Sequence, residues 1–528
     1  MRIYSSVLLV GLVATALVAG CDDAAAPVAT TTGGRYEGTS QDGVLAFLGI
    51  RYAQAPVGEL RWKPPVPVTL AEGLMQAKAF AAQPPQLPDV EEGASTLPQD
   101  EDCLYANVWT PSMHGKRPVL VFLHGGGWVN GGTADPWYYG AHLADRGDMV
   151  VVTLDYRLGP LGFLDLSAVG GADYASSGNL GVLDMIAALR WVQENVAAFG
   201  GDPDDVTLMG QSAGSMSVAL LMALPEARGL FHRAIAESGA LNLIHTQATA
   251  RATTQQFMQY AGVTDLAGLR ALTVDQIMAA EAQLEASTSF SDLLFGPVLD
   301  GTLVKEPPLQ AIARGDAADI PLLTGTTLDE TKYWYFYFDW LKDVGPRAAL
   351  PFLPFITSLF TPAEQETLIA GYEARYPSAT PGDITMKLAT DALFRQGQIR
   401  FAEAQAAHQP NTYMYLFAWQ TPILDGLYGA PHAVELPFLF RTFGQPSVDD
   451  FVGTTPPLAL SDAMEEAWFS FIRTGVPRSA HLPTWPAYDS TSRSTMVFDT
   501  ASAVEADPYG AERQAWSAFP FDSVVPSL

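Results

Sequence analysis

Cysteine and basic residues are scarce in this chain of 528 residues. Only Cys21 and Cys103 are present, and 29 Lys and Arg stand against 57 Asp and Glu, a formal net charge of −28. Such an acidic surface repels nucleic acid and anionic lipid headgroups, so we expect neither as a partner. A Cys21–Cys103 bridge would tie the N-terminal segment to the body of the protein, and we do not expect it. The sequence therefore predicts a fold without disulfides.

Motifs for metals and nucleotides are also absent. There is no cluster of His and Cys at ligand spacing, no G-x-x-x-x-G-K-[ST] and no G-x-G-x-x-G. We therefore predict neither a metal nor an organic cofactor. Beyond residue 34 there is no repeat and no linker-like break, and 48% of the chain is hydrophobic, enough for a large core. These features predict one large domain over residues 35–528.

The first residues of the chain are typical of an export signal. Arg2 provides a minimal basic region, residues 3–19 are nearly all apolar or small, and V-A-G-C at 18–21 resembles a bacterial lipobox. We predict a signal peptide over 1–20, lipidation of Cys21 and a flexible tether over 21–34. The protein would then be lipid-anchored in the cell envelope, and this anchor would be its only membrane contact. The alternative is an ordinary signal peptide with an incidental Cys21, giving a periplasmic or secreted protein.

Strands and helices alternate through the first half of the domain. Residues 118–123 and 149–154 are unbroken apolar runs, as expected of strands buried on both faces of a largely parallel sheet. Residues 181–199 have helical spacing and end at paired glycines. Further strands are predicted at 206–209, 233–238 and finally 494–498, and residues 245–410 are mostly helical. The pattern predicts an α/β fold with a large, mostly parallel mixed sheet flanked by helices, and with helices over its carboxyl edge.

The pentapeptide G-Q-S-A-G at 210–214 lies between a predicted strand and a predicted helix. A strand that turns through Gly-x-Ser-x-Gly into a helix is the nucleophile elbow of α/β-hydrolases. The serine of such a turn has a strained backbone, and only glycine fits on either side of it. Ser212 is therefore the candidate nucleophile.

A serine hydroxyl needs a base to accept its proton and an acid to hold that base. Among eight histidines, His432 has the most suitable setting, a loop at 429–437 that begins with a glycine and ends with a proline, called here the histidine loop. For the acid, a predicted strand at 322–327 leads into Asp329 and Glu330. The order Ser212, Glu330, His432 matches the order of this fold. These residues alone do not decide between Asp329 and Glu330.

A glycine loop follows the predicted strand at 118–123. Its sequence, H-G-G-G-W at 124–128, lets backbone N–H groups approach a tetrahedral intermediate without obstruction by side chains. We predict that the N–H groups of Gly126, Gly127 and Ala213 form an oxyanion hole.

Taken together, these segments resemble the type-B carboxylesterases, the family that includes the cholinesterases. The resemblance extends from about residue 35 to the C-terminus, and its segments are F-L-G-I-R-Y-A at 47–53, E-D-C-L-Y-A-N-V-W at 101–109, H-G-G-G-W, D-Y-R-L-G at 155–159, G-N-L-G-V-L-D at 178–184, F-G-G-D-P at 199–203, the elbow, 325–330 and the histidine loop. It implies the α/β-hydrolase fold and selects Glu330 as the acid. It also implies structural ion pairs between Arg157 and Asp184 and between Arg61 and Glu101.

The chain departs from this family in four places. Gln211 stands where glutamate is common, and Glu237 stands where glutamine is common. Either the two changes are coupled by proximity or they arose independently. Cys103 matches a half-cystine but has no partner near residue 82. The loop 79–102 contains no tryptophan, which argues against choline esters, because cholinesterases hold a quaternary ammonium by a cation–π contact there.

Seven of the nine residues from 332 to 340 are aromatic, too many for one face of a helix. We predict that Trp334, Phe336 and Tyr337 line the substrate pocket, together with Trp128 and Gln211, and favour apolar or aromatic esters. The alternative is that this run packs against residues 350–360.

The sequence thus predicts a serine carboxylesterase that acts on a small-molecule ester through an acyl-enzyme. A different class is a binding or adhesion protein with a silent site, as occurs among relatives of the family. The sequence does not indicate the natural ester or the oligomeric state.

Overall fold

In the part of the chain that the structure describes, a mixed sheet of eleven strands forms the centre of the protein. A computed structural model describes residues 26–88, 97–239, 244–287, 294–350, 360–518 and 524–525. The predicted signal peptide and Cys21 lie outside these residues. Across the large sheet the strand order is β16-β15-β14-β13-β10-β9-β7-β8-β6-β4-β3, and two small sheets have the orders β1-β2-β5 and β12-β11-β17.

The strands are numbered along the chain: β1 (Val28–Thr31), β2 (Gly34–Glu37), β3 (Thr39–Gln41), β4 (Val44–Arg51), β5 (Leu74–Gln76), β6 (Tyr105–Thr110), β7 (Arg117–Leu123), β8 (Val150–Leu154), β9 (Gly201–Gln211), β10 (Arg233–Glu237), β11 (Ile244–Thr246), β12 (Val298–Leu299), β13 (Leu322–Thr327), β14 (Thr412–Phe417), β15 (Ser494–Phe498), β16 (Ala503–Ala506) and β17 (Val524–Val525).

The α-helices of the described residues are α1 (Ala141–Arg146), α2 (Gly159–Phe163), α3 (Ser167–Gly170), α4 (Leu180–Asn195), α5 (Ala213–Ala223), α6 (Gln247–Tyr260), α7 (Leu266–Ala271), α8 (Val274–Ala286), α9 (Pro308–Ala313), α10 (Tyr333–Tyr337), α11 (Pro346–Ala349), α12 (Pro362–Arg375), α13 (Pro381–Thr390), α14 (Gln396–Ala406), α15 (Leu436–Phe440), α16 (Pro446–Val452), α17 (Leu458–Thr474) and α18 (Gly510–Trp516). None of them is long and apolar enough to cross a membrane.

The apolar strand runs are buried on both faces of the sheet, as predicted. Along β7, Val119 and Val121 belong to one core cluster, whereas Leu120 and Phe122 belong to the other. Successive side chains of a strand point to opposite faces of the sheet. A strand with a hydrophobic core on each face therefore needs an unbroken apolar sequence. From β8 through β7, β9, β10, β13 and β14 to β15 the neighbours are parallel, and antiparallel strands complete both edges.

Two predicted boundaries were wrong. The flexible tether does not reach residue 34, because Val28–Thr31 forms β1, which pairs with β2, and Ala29 is fully buried. Three of the four residues of that strand, Val28, Thr30 and Thr31, are β-branched and fit a pleated, half-buried surface. Nor is β15 the final strand of the large sheet: β16 returns antiparallel beside it as an edge strand. Its sequence A-V-E-A is mostly exposed and gives little apolar signal.

Parallel strands bring the predicted site residues to one edge of the sheet. In the register of β7, β9, β10 and β13, Leu123 pairs with Gly210, and Gln211 pairs with Glu237. Glu237 in turn pairs with Gly325 on β13. The chain leaves each of these strands at its carboxyl end, where α/β sheets place their sites.

Candidate active site

The turn at Ser212 has the strained geometry of a nucleophile elbow. Its φ is 57° and its ψ is −126°, a conformation that costs free energy in a residue with a side chain. A Cβ atom added to Gly210 would lie 2.5 Å from the carbonyl carbon of Gly214, and one added to Gly214 would lie 2.1 Å from the Leu123 oxygen. Both flanking glycines are therefore required by contact, as the sequence predicted. The Ser212 N–H donates to the Glu237 carbonyl at 2.9 Å, which fixes the turn to β10.

His432 and Glu330 meet directly. The Nδ1 atom of His432 lies 2.6 Å from Oε2 of Glu330, whose side chain is fully buried. The other carboxylate oxygen, Oε1, accepts from the Thr327 N–H at 2.9 Å, and the His432 N–H donates to the Glu330 carbonyl at 3.1 Å. A carboxylate only accepts, so Nδ1 carries the proton and Nε2 of the neutral ring has the free lone pair.

Asp329 has a different function from its neighbour. Its Oδ2 atom accepts from the Ala430 N–H at 3.2 Å, and Lys332 Nζ lies 3.4 Å from Oδ1. Gly429 has φ +61° there, and a Cβ atom at that position would lie 2.2 Å from Asp329 Oδ2. Asp329 therefore shapes the backbone of the histidine loop, and the geometry selects Glu330 as the partner of His432.

The glycine loop after β7 lies against the elbow. A Cβ atom on Gly125 would lie 3.0 Å from the Ser212 Cβ, and Gly126 and Gly127 have φ values of 96° and 60°. In the described part of the chain, the N–H groups of Gly126, Gly127 and Ala213 donate no hydrogen bond to another protein atom. Three unused donors beside the candidate nucleophile are what an oxyanion requires.

His124, at the start of this loop, is a structural residue. Its ring stacks on Tyr156 with centroids 4.4 Å apart, and Nδ1 lies 2.9 Å from the Gly125 oxygen. Burial lowers the pKa of His124 to about 4. Trp128 is also buried, and its Nε1–H donates to Ser217 at 2.9 Å. These contacts account for its burial, and its place in the substrate pocket stays a prediction.

Aromatic rings surround His432. The Trp334 ring is nearly parallel to the imidazole with centroids 6.4 Å apart, and the Phe394 ring lies 4.8 Å from it. Tyr333 approaches edge-on at 5.9 Å. Trp334 is thus beside His432, and its place in the substrate pocket stays a prediction, whereas Tyr335 packs into a separate cluster with Leu341. The side chains of Phe336 and Tyr337 and the segment 351–359 lie outside the described residues.

Sequence reasoning missed Phe394. It lies in a π-helical turn, Asp391–Arg395, between α13 and α14. Such turns interrupt a helix without a glycine or proline signal, and they recur at functional sites. The sequence signal for this turn is the four-residue spacing of Asp391 and Arg395, which suits an ion pair. The same spacing is typical of an ordinary α-helix, so it does not predict a π-helical turn.

Gln211 and Glu237 are neighbours, as one of the two alternatives required. They are register partners on β9 and β10. The amide Nε2 of Gln211 lies 3.2 Å from Nε2 of His432, whereas Glu237 Oε1 accepts from Trp468 Nε1 at 2.8 Å. Burial raises the pKa of the Glu237 carboxyl, and burial together with the charge of Glu237 raises that of Glu435.

Both predicted structural ion pairs are present. Arg157 makes two hydrogen bonds of 2.7 Å to Asp184 in the interior, and Arg61 makes two of 2.5 Å to Glu101. Cys103 is a buried free thiol, and burial raises its pKa.

An elbow serine, a histidine–glutamate pair and a glycine loop on a largely parallel sheet define an α/β-hydrolase. Residues 25–516 match the model of the carboxylesterase family, and the chain belongs to this family. It is 40% identical to the para-nitrobenzyl esterase of Bacillus subtilis over 499 residues, covering 92% of this chain and 98% of the relative. It is 35% identical to a phenmedipham hydrolase of Pseudarthrobacter oxydans over 490 residues, covering 89% and 94%.

Solved structures agree with these relatives. The crystal structure of a Geobacillus stearothermophilus carboxylesterase matches with a TM-score of 0.84 at 40% identity, covering 93% of this chain and 99% of that one. The protein is a carboxylic-ester hydrolase, and the alternative of a silent binding protein is not favoured.

Proposed function

We propose that Ser212, His432 and Glu330 are the catalytic triad of this esterase and that hydrolysis passes through an acyl-enzyme. Ser212 Oγ forms a bond to the ester carbonyl carbon as its proton passes to His432 Nε2. That proton then goes to the departing alkoxide oxygen as the C–O bond breaks. Water repeats the sequence and releases the acid. The observation that supports these roles is the 2.6 Å contact from His432 Nδ1 to Glu330, which leaves Nε2 as the acceptor beside the elbow.

The oxyanion hole in this proposal consists of the N–H groups of Gly126, Gly127 and Ala213. They are unused donors next to Ser212, and the oxyanion of the tetrahedral intermediate takes their hydrogen bonds. Loss of one such donor typically costs about 3–4 kcal/mol of transition-state stabilisation.

The proposed substrates are apolar or aromatic esters. Trp334 and Phe394 place two aromatic faces beside the imidazole, where the acyl or alcohol group of a bound ester lies. We place Phe336, Tyr337, Trp128 and Gln211 in the same pocket. The relative named para-nitrobenzyl esterase supports an aromatic group on the ester.

Hydrolysis of a p-nitrophenyl ester series from acetyl to octanoyl tests this function. We expect wild type to hydrolyse the series and Ser212→Ala to lose roughly three or more orders of magnitude of kcat. Ser470→Ala, a serine of α17 whose hydroxyl donates to the Val476 carbonyl, is the control and keeps its activity. Activity of Ser212→Ala near that of wild type would overturn the assignment.

For location, we propose export and a lipid anchor at Cys21. The support is the basic, apolar and lipobox pattern of residues 1–21. Metabolic labelling with a palmitate analogue in a bacterial host tests it, with Cys21→Ser as the control. Label on wild type and none on Cys21→Ser is expected, and an unmodified Cys21 on the mature protein would contradict the anchor.

A further inference from the structure

Gln211 contacts the nitrogen of His432 that has to accept a proton. Its amide Nε2 lies 3.2 Å from His432 Nε2, while Nδ1 donates to Glu330. In the neutral ring, Nε2 is a lone-pair acceptor, so the amide of Gln211 is the donor in this contact. A protonated imidazole would present an N–H at Nε2, and two donors would then face each other. The contact therefore favours the neutral, proton-accepting ring.

We propose that Gln211 is a positioning residue that holds His432 in its neutral form and so extends esterase activity to lower pH. This inference rests on the proposed role of His432 as the general base. Gln211 would release Nε2, by movement of its side chain away from the ring with the amide oxygen still turned away, when the proton of Ser212 arrives.

The charged and titratable groups around His432 comprise one contacting carboxylate, which favours imidazolium, and others that are paired or lie behind the site. Glu330 is the carboxylate in direct contact, and the Tyr333 ring lies edge-on at 5.9 Å. Two further carboxylates are paired with cations, Asp329 with Lys332 beside the histidine loop and Asp391 with Arg395 in the π-helical turn. Behind the site are Glu237, Glu435 and Tyr415, which interact electrostatically with one another.

The nearest strand neighbour of Gln211 is an acid that does not face His432. Glu237 is its register partner on β10, and its Oε1 accepts from Trp468. Within the described residues, Oε2 of Glu237 and Oε2 of Glu435 are both buried without a hydrogen-bond partner. Burial raises the pKa of both carboxyls, which favours their neutral forms. A carboxylate at position 211 would therefore add a charge beside Nε2 that the wild type does not have.

The acid limb of kcat/KM, measured with 1-naphthyl butyrate from pH 4.5 to 9, tests this role. In Gln211→Glu we expect the midpoint of the limb to move up by about one pH unit or more, since an adjacent carboxylate favours imidazolium. At pH values below the limb, this shift corresponds to about a tenfold loss of kcat/KM relative to wild type. Gln211→Met, which has the same length but no donor, shifts the limb in the same direction by less.

Gln409→Glu is the control for added charge. Gln409 is buried before β14, at the amino end of the parallel strands and away from the site, and its amide donates to Ala318. We expect the Gln409→Glu variant to leave the acid limb of kcat/KM unmoved. In the single variant Gln211→Glu, the added carboxyl could stay protonated, and the acid limb would then not move. The double variant Gln211→Glu with Glu237→Gln keeps the number of carboxyls constant, and in that case it must show the upward shift of the acid limb.

An unmoved acid limb in Gln211→Glu, in the double variant and in Gln211→Met would overturn the proposal. That failure is distinct from a failure of the triad, which would appear as activity of Ser212→Ala in the same assay.

Discussion

Arg395 connects the π-helical turn to the loop that contains Glu330. It pairs with Asp391 four residues earlier, with nitrogen and oxygen 3.1 Å apart, and both side chains are buried. A second guanidinium nitrogen donates to the carbonyl of Leu328, two residues before Glu330. Asp391 in turn accepts from the Tyr372 hydroxyl. The turn that presents Phe394 to His432 thus also holds the strand end that presents the acid.

Arg395→Met is expected to destabilise the fold by about 3–5 kcal/mol, because it leaves Asp391 buried without its cation. Urea unfolding measures this. Combining it with Asp391→Asn removes the unpaired charge, so the double variant should lose less than the sum of the single variants. Additive losses would contradict the buried pair.

The neighbouring carboxylates Asp329 and Glu330 should give opposite kinetic results. Glu330→Gln disturbs the tautomer of His432 and should lower kcat by roughly 10⁴-fold with little change in KM. Asp329→Asn loses a hydrogen-bond acceptor of the Ala430 N–H or its ion pair with Lys332, so it should lower thermal stability and leave kcat within about tenfold. Steady-state kinetics and thermal unfolding of both variants check this. Equal losses of kcat would show that the two residues do not have separate functions.

Glu237 should make stability fall as pH rises. Burial raises its pKa in the folded state above the ordinary value near 4.5, so over the range between these values the native protein holds a proton that the unfolded chain has lost. Stability decreases with pH wherever the native state binds more protons. Glu237→Gln keeps an acceptor for Trp468 without titrating.

We therefore expect the melting temperature of Glu237→Gln, relative to wild type, to rise from pH 5 towards pH 8. Differential scanning calorimetry across that range measures it. A difference that does not change with pH would contradict a protonated Glu237.

The rings beside His432 should determine ester preference. Phe394→Ala and Trp334→Ala are expected to lower the ratio of kcat/KM for phenyl butyrate over ethyl acetate, by roughly 10- to 200-fold for the loss of one such apolar contact. Tyr335→Phe, in the adjacent packed cluster, is the control. An unchanged ratio in both alanine variants would assign these rings to packing only.

Much of this site follows from local sequence. A Cβ atom on Gly210 or Gly214 would lie 2.5 Å or less from the backbone, so the elbow can be predicted from its glycines. The apolar run of β7 likewise predicts burial on both faces of the sheet. Asp329 and Glu330 could not be separated in this way. Both follow β13, and only the path of the histidine loop, set by packing distant in sequence, decides which one meets His432.

Other features depend on tertiary context alone. Phe394 is more than sixty residues from Glu330 in sequence. It lies in a π-helical turn, and no residue type in the sequence predicts such a turn. The exchange of acid and amide at 211 and 237 was visible in the sequence. Its meaning required the register of β9 and β10, which places one side chain on His432 and the other on Trp468.

The most direct test of the triad is the site of covalent modification during turnover. Mass spectrometry of the enzyme quenched after reaction with a p-nitrophenyl ester, or with an aryl phosphonate that mimics the tetrahedral intermediate, locates the adduct. We expect one equivalent on the peptide that contains Ser212, none in Ser212→Ala, and much slower formation in Glu330→Gln. An adduct on another residue, or undiminished hydrolysis by Ser212→Ala, would contradict the mechanism.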